Sequence, residues 1–159
     1  MNPPAPAAAS ARAPASVRRA ELRDAEALAE LSRQLGYPSP REQVEARLRQ
    51  LLASAEHAVL VAEDARDGSI AGWVHAYVER TLESDATAEI GGLVVSEGRR
   101  GAGVGRLLME HAERWARGTG CATVTVRSNV IRERAHAFYL QLGYAPVKSQ
   151  RVFRKTLAS

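Results

Sequence analysis

Arg99-Arg100-Gly101-Ala102-Gly103-Val104-Gly105-Arg106 stands between a run of β-branched residues and the strongest helical pattern in the chain. Glycines at 101, 103 and 105 let the backbone turn tightly and approach a ligand closely. The first-turn N–H groups of the helix that follows have no acceptor within the helix. Together with the positive end of the helix dipole and three arginines, those donors suit a pyrophosphate. Behind the loop, Val104, Leu107, Leu108, His111, Ala112 and Trp115 recur at helical spacing. Ahead of it, Ala88 to Val95 reads as a strand in which Gly91-Gly92 marks a bulge.

Further upstream, Val17 to Ala20 is short enough for a first strand, and Asp24 stands as N-cap to a helix carrying Ala27, Leu28, Leu31 and Leu35. Ser39-Pro40-Arg41-Glu42 has the form of a capping box, so a second helix with Val44, Leu48, Leu51 and Leu52 begins near Pro40. The apolar run Ala58 to Ala62, the turn signal Asp67-Gly68 and the β-forming stretch Ile70 to Val78 make a hairpin. Downstream, Ala122 to Arg127 alternates as a strand, and Ser128 or Asn129 caps a helix with Ala135, Phe138, Tyr139 and Leu142 on one face. Tyr144 to Val147 and Gln150 to Thr156 read as closing strands. This order predicts a mixed α/β or α+β layer without an internal repeat.

The 159 residues, 45% hydrophobic and 25% charged, suffice for one domain. We expect a disordered Ala/Pro-rich tail over 1–16 and a folded domain over 17–159. A net charge of +4 suits an anionic ligand as well as it suits nucleic acid. The basic residues are scattered, however, with no aromatic-interleaved stripe, which argues against nucleic acid. One cysteine, Cys121, excludes an internal disulfide and a cysteine-based zinc site, and His57, His75, His111 and His136 show no metal-ligand spacing. No metal is therefore expected. No apolar stretch approaches the ~18 residues of a membrane span, and a cytoplasmic location is the default reading.

Two phosphate-binding designs fail on the glycine loop. A P-loop needs Gly-Lys followed by Ser or Thr, where Arg106-Leu107 stands; a dinucleotide fold needs a further glycine at Arg106 and an acid within Cys121 to Val126. Arg100-Gly101-Ala102-Gly103-Val104-Gly105 instead resembles the Arg/Gln-x-x-Gly-x-Gly/Ala loop of the GNAT superfamily of N-acetyltransferases at every specified position. Asn129, Ala135-His136-Ala137-Phe138-Tyr139 and Leu142-Gly143-Tyr144 are similar to the second cofactor motif of that superfamily. The resemblance spans Val17 to Thr156. It implies a mixed, mostly antiparallel sheet of six or seven strands flanked by about four helices and splayed between the fourth and fifth strands. Acetyl-CoA would enter that gap as co-substrate. The backbone of Leu93, Val94 and Val95 would hold the pantetheine arm and thioester. Arg100, Gly101, Ala102, Gly103, Val104, Gly105 and Arg106 would hold the pyrophosphate. Asn129 would contact the cofactor arm, and Tyr139 would lie near the sulfur.

The implied reaction is direct attack of a neutral amine on the thioester within a ternary complex. An ammonium ion has no lone pair, so a base is needed, and the departing thiolate gains from a donor. Tyr139 is the candidate acid, although its place on the apolar stripe equally suits a packing aromatic. Glu89 is the candidate base, provided that the Gly91-Gly92 bulge turns it out of the core; a substrate-binding anion and a surface charge are the other readings. Trp73, His75, Tyr77 and Glu79 share a strand face that lines either an acceptor pocket or the core. Glu79, Glu83, Asp85 and Glu89 gather near the fourth strand with Arg80 as the only opposing charge, which favours a small cationic amine as acceptor. A non-catalytic acyl-CoA sensor and an acetyltransferase for a protein amine are the alternatives. The protein is expected to be a monomer or homodimer that binds no nucleic acid and no membrane.

Overall fold

Five strands form one sheet in the order β1-β2-β3-β4-β5 in the computed structural model, which describes residues 15–158. They are β1 (Ala15–Arg19), β2 (His57–Asp64), β3 (Ile70–Glu79), β4 (Thr87–Val95) and β5 (Val124–Val126). Four helices accompany them: α1 (Ala25–Gln34), α2 (Arg41–Leu52), α3 (Val104–Gly118) and α4 (Glu133–Gln141). β1 to β4 pair antiparallel in succession, and β5 joins β4 in parallel. The sheet is therefore mixed and mostly antiparallel, in an α+β arrangement. Residues 1–14 of the expected tail lie outside the described residues, and Ala15 and Ser16 already belong to β1.

The chain divides into two units, Met1–Val126 and Arg127–Ser159. In the first, antiparallel register puts cross-strand partners on one face of the sheet. Val59, Val61 and Trp73 share a face and pack with Leu28 of α1 and Leu48 of α2. Each fully buried aliphatic side chain there contributes roughly 1.5–3 kcal/mol. Val74, Ala76 and Ala88 belong to the opposite face, where α3 supplies the buried Leu108, Met109, Ala112 and Ala116. Gly72 allows α3 and β4 to close on the sheet: a Cβ there would lie 2.6 Å from the Val94 carbonyl oxygen and 3.2 Å from Leu108 Cδ1.

Asp24 is the N-cap residue of α1, but its carboxylate serves the preceding turn, accepting from the Glu21 amide at 2.8 Å. It also receives both terminal nitrogens of Arg18, at 2.8 and 2.9 Å. Helix α2 begins at Arg41 with Pro40 as its N-cap, and the Ser39 hydroxyl accepts from Arg47 instead of closing a capping box.

Three expectations are corrected. Among the described residues the sheet has five strands and not six or seven, and residues 144–158 form none. A strand is made by pairing, and the β-forming residues 150–156 find no partner strand among the described residues, while Pro146 lacks an N–H to give to a ladder. The strand expected over Ala122 to Arg127 shortens to the three residues opposite Ala88, Glu89 and Ile90. Neither Ser128 nor Asn129 caps α4, whose N-cap is Arg132.

Candidate active site

The pairing of β3 with β4 slips between His75 and Ala76: His75 faces Gly92, Ala76 faces Ile90, and Gly91 is the extra residue. By plain alternation Glu89 would share a face with Leu93 and Val95. The bulge reverses that, bringing Glu89 opposite Tyr77, on the face that carries Trp73 and His75. Neither glycine has room for a side chain, since a Cβ would lie 2.9 Å from His75 Nδ1 at position 91 and 2.8 Å from Trp73 Cη2 at position 92. Glu89 itself is 2% exposed. Gly91-Gly92 thus marks a bulge, as the sequence suggests, and the stripe Trp73, His75, Tyr77, Glu79 gains a buried carboxylate.

The bulge is also where β4 parts from β5. Their parallel ladder runs from Ala88 opposite Val124 to Ile90 opposite Val126. Beyond it, Gly92, Leu93, Val94 and Val95 pair on the β3 side alone among the described residues. Their other edge presents backbone donors and acceptors, and Gly91 is exposed.

At the start of α3, Gly101 and Gly103 adopt left-handed backbone, with φ of +79° and +82°. Gly103 is the N-cap and brings no capping side chain. The first bond of the helix runs from the Leu107 amide to the Gly103 carbonyl at 3.0 Å. The amides of Val104, Gly105 and Arg106 therefore point out of the helix end without an intrahelical acceptor. Arg100, Ala102 and Arg106 are exposed around it, and neither arginine is held in an ion pair among the described residues.

Arg99 is different from its neighbours. Its guanidinium reaches back to the β2–β3 turn, with Nη1 2.6 Å from Asp64 Oδ2 and Nη2 donating to Ser69 Oγ at 3.1 Å. The expectation of three arginines at the pyrophosphate seat is reduced to two. Asp64 also receives Arg66 at 2.9 Å, and these guanidinium bonds, Arg66 first, hold its carboxyl far below the ordinary aspartate range.

The acidic approach to β4 is less opposed than the sequence suggests. Arg80 is paired with Glu56 at 2.9 Å, while Glu83 and Asp85 are exposed and make no ion pair among the described residues.

In the second unit, Asn129 turns the chain before α4: its Oδ1 accepts from the Ile131 amide at 3.2 Å, and its carbonyl is 2.9 Å from His136 Nε2. Tyr139 is half-buried on α4, its ring edge-on to Phe138 and Tyr144 at centroid distances of 5.2 and 5.8 Å. Burial pushes its phenol above the ordinary value, so it stays protonated at neutral pH.

One pair escaped the sequence reading. His57 and His75 are separated along the chain, yet the hairpin brings His57 Nδ1 within 3.0 Å of His75 Nε2, and both rings lie beside Tyr77. Counting outward from Asp67-Gly68 misses them, because it sets His57 opposite Val78 and Val59 opposite Ala76; the observed register, shifted at the irregularity between Ala62 and Glu63, pairs His57 with Tyr77 and Val59 with His75. Burial, with His57 alongside, lowers the His75 pKa to about 4, so its ring is neutral at pH 7.

Comparison with known proteins adds three findings. A family model described as the acetyltransferase (GNAT) family matches residues 24–144. An aminoglycoside N(6')-acetyltransferase type 1 of Klebsiella aerogenes is 34% identical over 104 residues, which are 63% of this chain and 67% of that protein. Among solved structures, the aminoglycoside 6'-N-acetyltransferase AAC(6')-Ig of Acinetobacter haemolyticus superposes with a TM-score of 0.77 at 21% identity, over 90% of this chain and 99% of that one. AAC(6')-Iy, solved with a bisubstrate analogue that joins CoA to acetylneamine, gives 0.79 at 20% identity over 90% and 99%. No helix among the described residues is long and apolar enough to cross a membrane.

Proposed function

The chain belongs to the GNAT family of N-acetyltransferases, and from that premise we propose that it acetylates a small polycationic amine of the aminoglycoside kind by direct transfer from acetyl-CoA. One observation carries the reading: the Gly91 bulge turns the buried Glu89 onto the α1–α2 face of the sheet at the point where β4 offers an unpaired backbone edge.

Acetyl-CoA supplies the activated acetyl group, and the residues suit it on two counts. The free edge of Leu93, Val94 and Val95 matches an amide-bearing arm, and the glycine-capped start of α3 with Arg100 and Arg106 matches a pyrophosphate. In this reading the amides of Gly101 to Arg106 bind the phosphates, and Asn129 donates through its side-chain amide to the arm.

Glu89 takes the proton that an incoming ammonium must lose before its nitrogen can attack. Backbone N–H groups of the β4 edge stabilise the carbonyl oxygen as it gains charge. Tyr139 gives its phenolic proton to the departing sulfur and regains one from the second N–H proton that the newly acylated nitrogen sheds. Glu83 and Asp85, with Glu79, draw a cationic acceptor toward this face. The curated relative and both solved structures carry aminoglycoside 6'-acetyltransferase in their names, which supports an acceptor with several amino groups.

The test is a thiol-release assay on the purified protein with acetyl-CoA and four acceptors: kanamycin, spermine, a lysine-rich peptide and glucosamine. Mass spectrometry of the product locates the acetyl group. Faster turnover of kanamycin or spermine than of the peptide or glucosamine is expected. A preference for the peptide supports protein acetylation instead, and acetyl-CoA binding without transfer to any acceptor supports a sensor.

A further inference from the structure

The two ring nitrogens of His75 face in opposite directions. Nδ1 lies over the bulge, 2.9 Å from where a Cβ on Gly91 would be, and Nε2 lies 3.0 Å from His57 Nδ1. His57, Tyr77 and Glu89 are register partners in one row across β2, β3 and β4, and His75 is the diagonal neighbour of Glu89 in that row. Diagonal positions are within reach of long side chains. Among the titratable side chains of this file, His57, His75, Tyr77 and Glu79 are half-buried and Glu89 is buried, so the file leads from inside the sheet face toward water.

We propose that His75 and His57 form the exit path for the proton that Glu89 takes from the acceptor amine. The inference rests on the acetyl-transfer reading above. The acceptor ammonium gives one proton to the Glu89 carboxylate, which frees the nitrogen lone pair to bond to the acetyl carbon. The Glu89 carboxyl then protonates His75 Nδ1 while the Nε2–H of His75 moves to His57 Nδ1. His57 releases its own Nε2–H to water. One proton enters and one leaves, and both rings reset their tautomers through water before the next turnover. A neutral imidazole, with one donor and one acceptor nitrogen, suits this passage. The lowered pKa of His75 agrees with a group that passes a proton on without storing it. The titratable side chains facing the pair are Tyr77 and Glu79 from β3 and Glu89 from β4. The lack of a side chain at Gly91 leaves His75 Nδ1 uncovered at the bulge.

The test compares wild type, His57→Asn and His75→Gln, which keep hydrogen-bonding capacity without carrying a proton. Each is assayed with acetyl-CoA and whichever of the four acceptors the wild type turns over fastest, and acetyl-CoA binding is measured by calorimetry. A fall in kcat of about tenfold or more at pH 7, unchanged KM for both substrates, and recovery as imidazole is added are expected. Unchanged kcat overturns the proposal. So does a loss that imidazole does not restore, which identifies a structural pair. If either variant fails to fold, the other carries the same comparison. Wild-type protein that binds acetyl-CoA but acetylates no acceptor overturns the acetyl-transfer reading itself, a result distinct from active variants.

Discussion

Arg99 and Asp64 form an ion pair at 2.6 Å that ties the segment before α3 to the end of β2. The neighbouring Arg100 and Arg106 are left exposed at the glycine loop. Removing Arg99 should therefore act on stability and removing Arg106 on cofactor affinity. Arg106→Ala is expected to weaken acetyl-CoA binding by about tenfold, the scale of one charge-assisted contact, with little change in melting temperature. Arg99→Ala should lower the melting temperature and leave affinity within about twofold. Calorimetric titration and thermal unfolding of both variants check the division; a larger affinity loss at Arg99 would return it to the phosphate site.

Asp64 also makes stability depend on pH. Its carboxyl is held far below the ordinary value of 3.8, chiefly by the Arg66 side chain. The contribution is complete above the ordinary aspartate range and is lost as pH falls through the lowered folded value. Asp64→Asn should melt below wild type at pH 7, and the gap should narrow on acidification toward about pH 2.5. Melting curves across that range test it, and a gap that stays constant contradicts the pairing.

Gly72 and Gly98 separate a glycine needed for space from one that is not. A Cβ at 72 would meet the Val94 carbonyl oxygen at 2.6 Å, whereas one at 98 would have nothing within 4 Å. Gly72→Ala is expected to cost about 1–3 kcal/mol because a backbone atom must move. Gly98→Ala should be within about 0.5 kcal/mol of wild type. Denaturant unfolding of the two proteins measures the contrast.

Glu89→Gln and Tyr139→Phe should fail on different sides of the reaction. Without its base, Glu89→Gln should lose about a hundredfold in rate at neutral pH and recover toward high pH, where the amine deprotonates unaided. Tyr139→Phe should be slowed at sulfur departure and gain nothing from added alkali. Rate–pH profiles with a fixed acceptor distinguish the two, and an unchanged Tyr139→Phe profile removes the phenol from the chemistry.

The glycine loop and the bulge were both legible because their chemistry is local. Three glycines before an apolar helix, and two in mid-strand, constrain the backbone whatever surrounds them. The bulge even announced the turn of Glu89, since adding one residue to a period of two reverses every side chain beyond it. What escaped depended on partners distant in sequence. Arg99 looked like its neighbours until β2 brought Asp64 to it, and His57 met His75 only through the hairpin register. Residues 150–156 misled in the opposite sense: Val152 and Phe153 favour strands but are 86% and 89% exposed, with no strand among the described residues to pair them.

β4 is one strand living in two environments. Among the described residues it is flanked on both sides from Ala88 to Ile90, and from Gly92 to Val95 it has a neighbour on one side only. Amide hydrogen exchange along it should therefore break at Gly91, slow before the bulge and faster after it. A bound pantetheine arm would act as a short surrogate strand on the bare side. Adding acetyl-CoA should then slow exchange in the second half of β4 toward that of the first, so that substrate binding is read as the completion of a sheet.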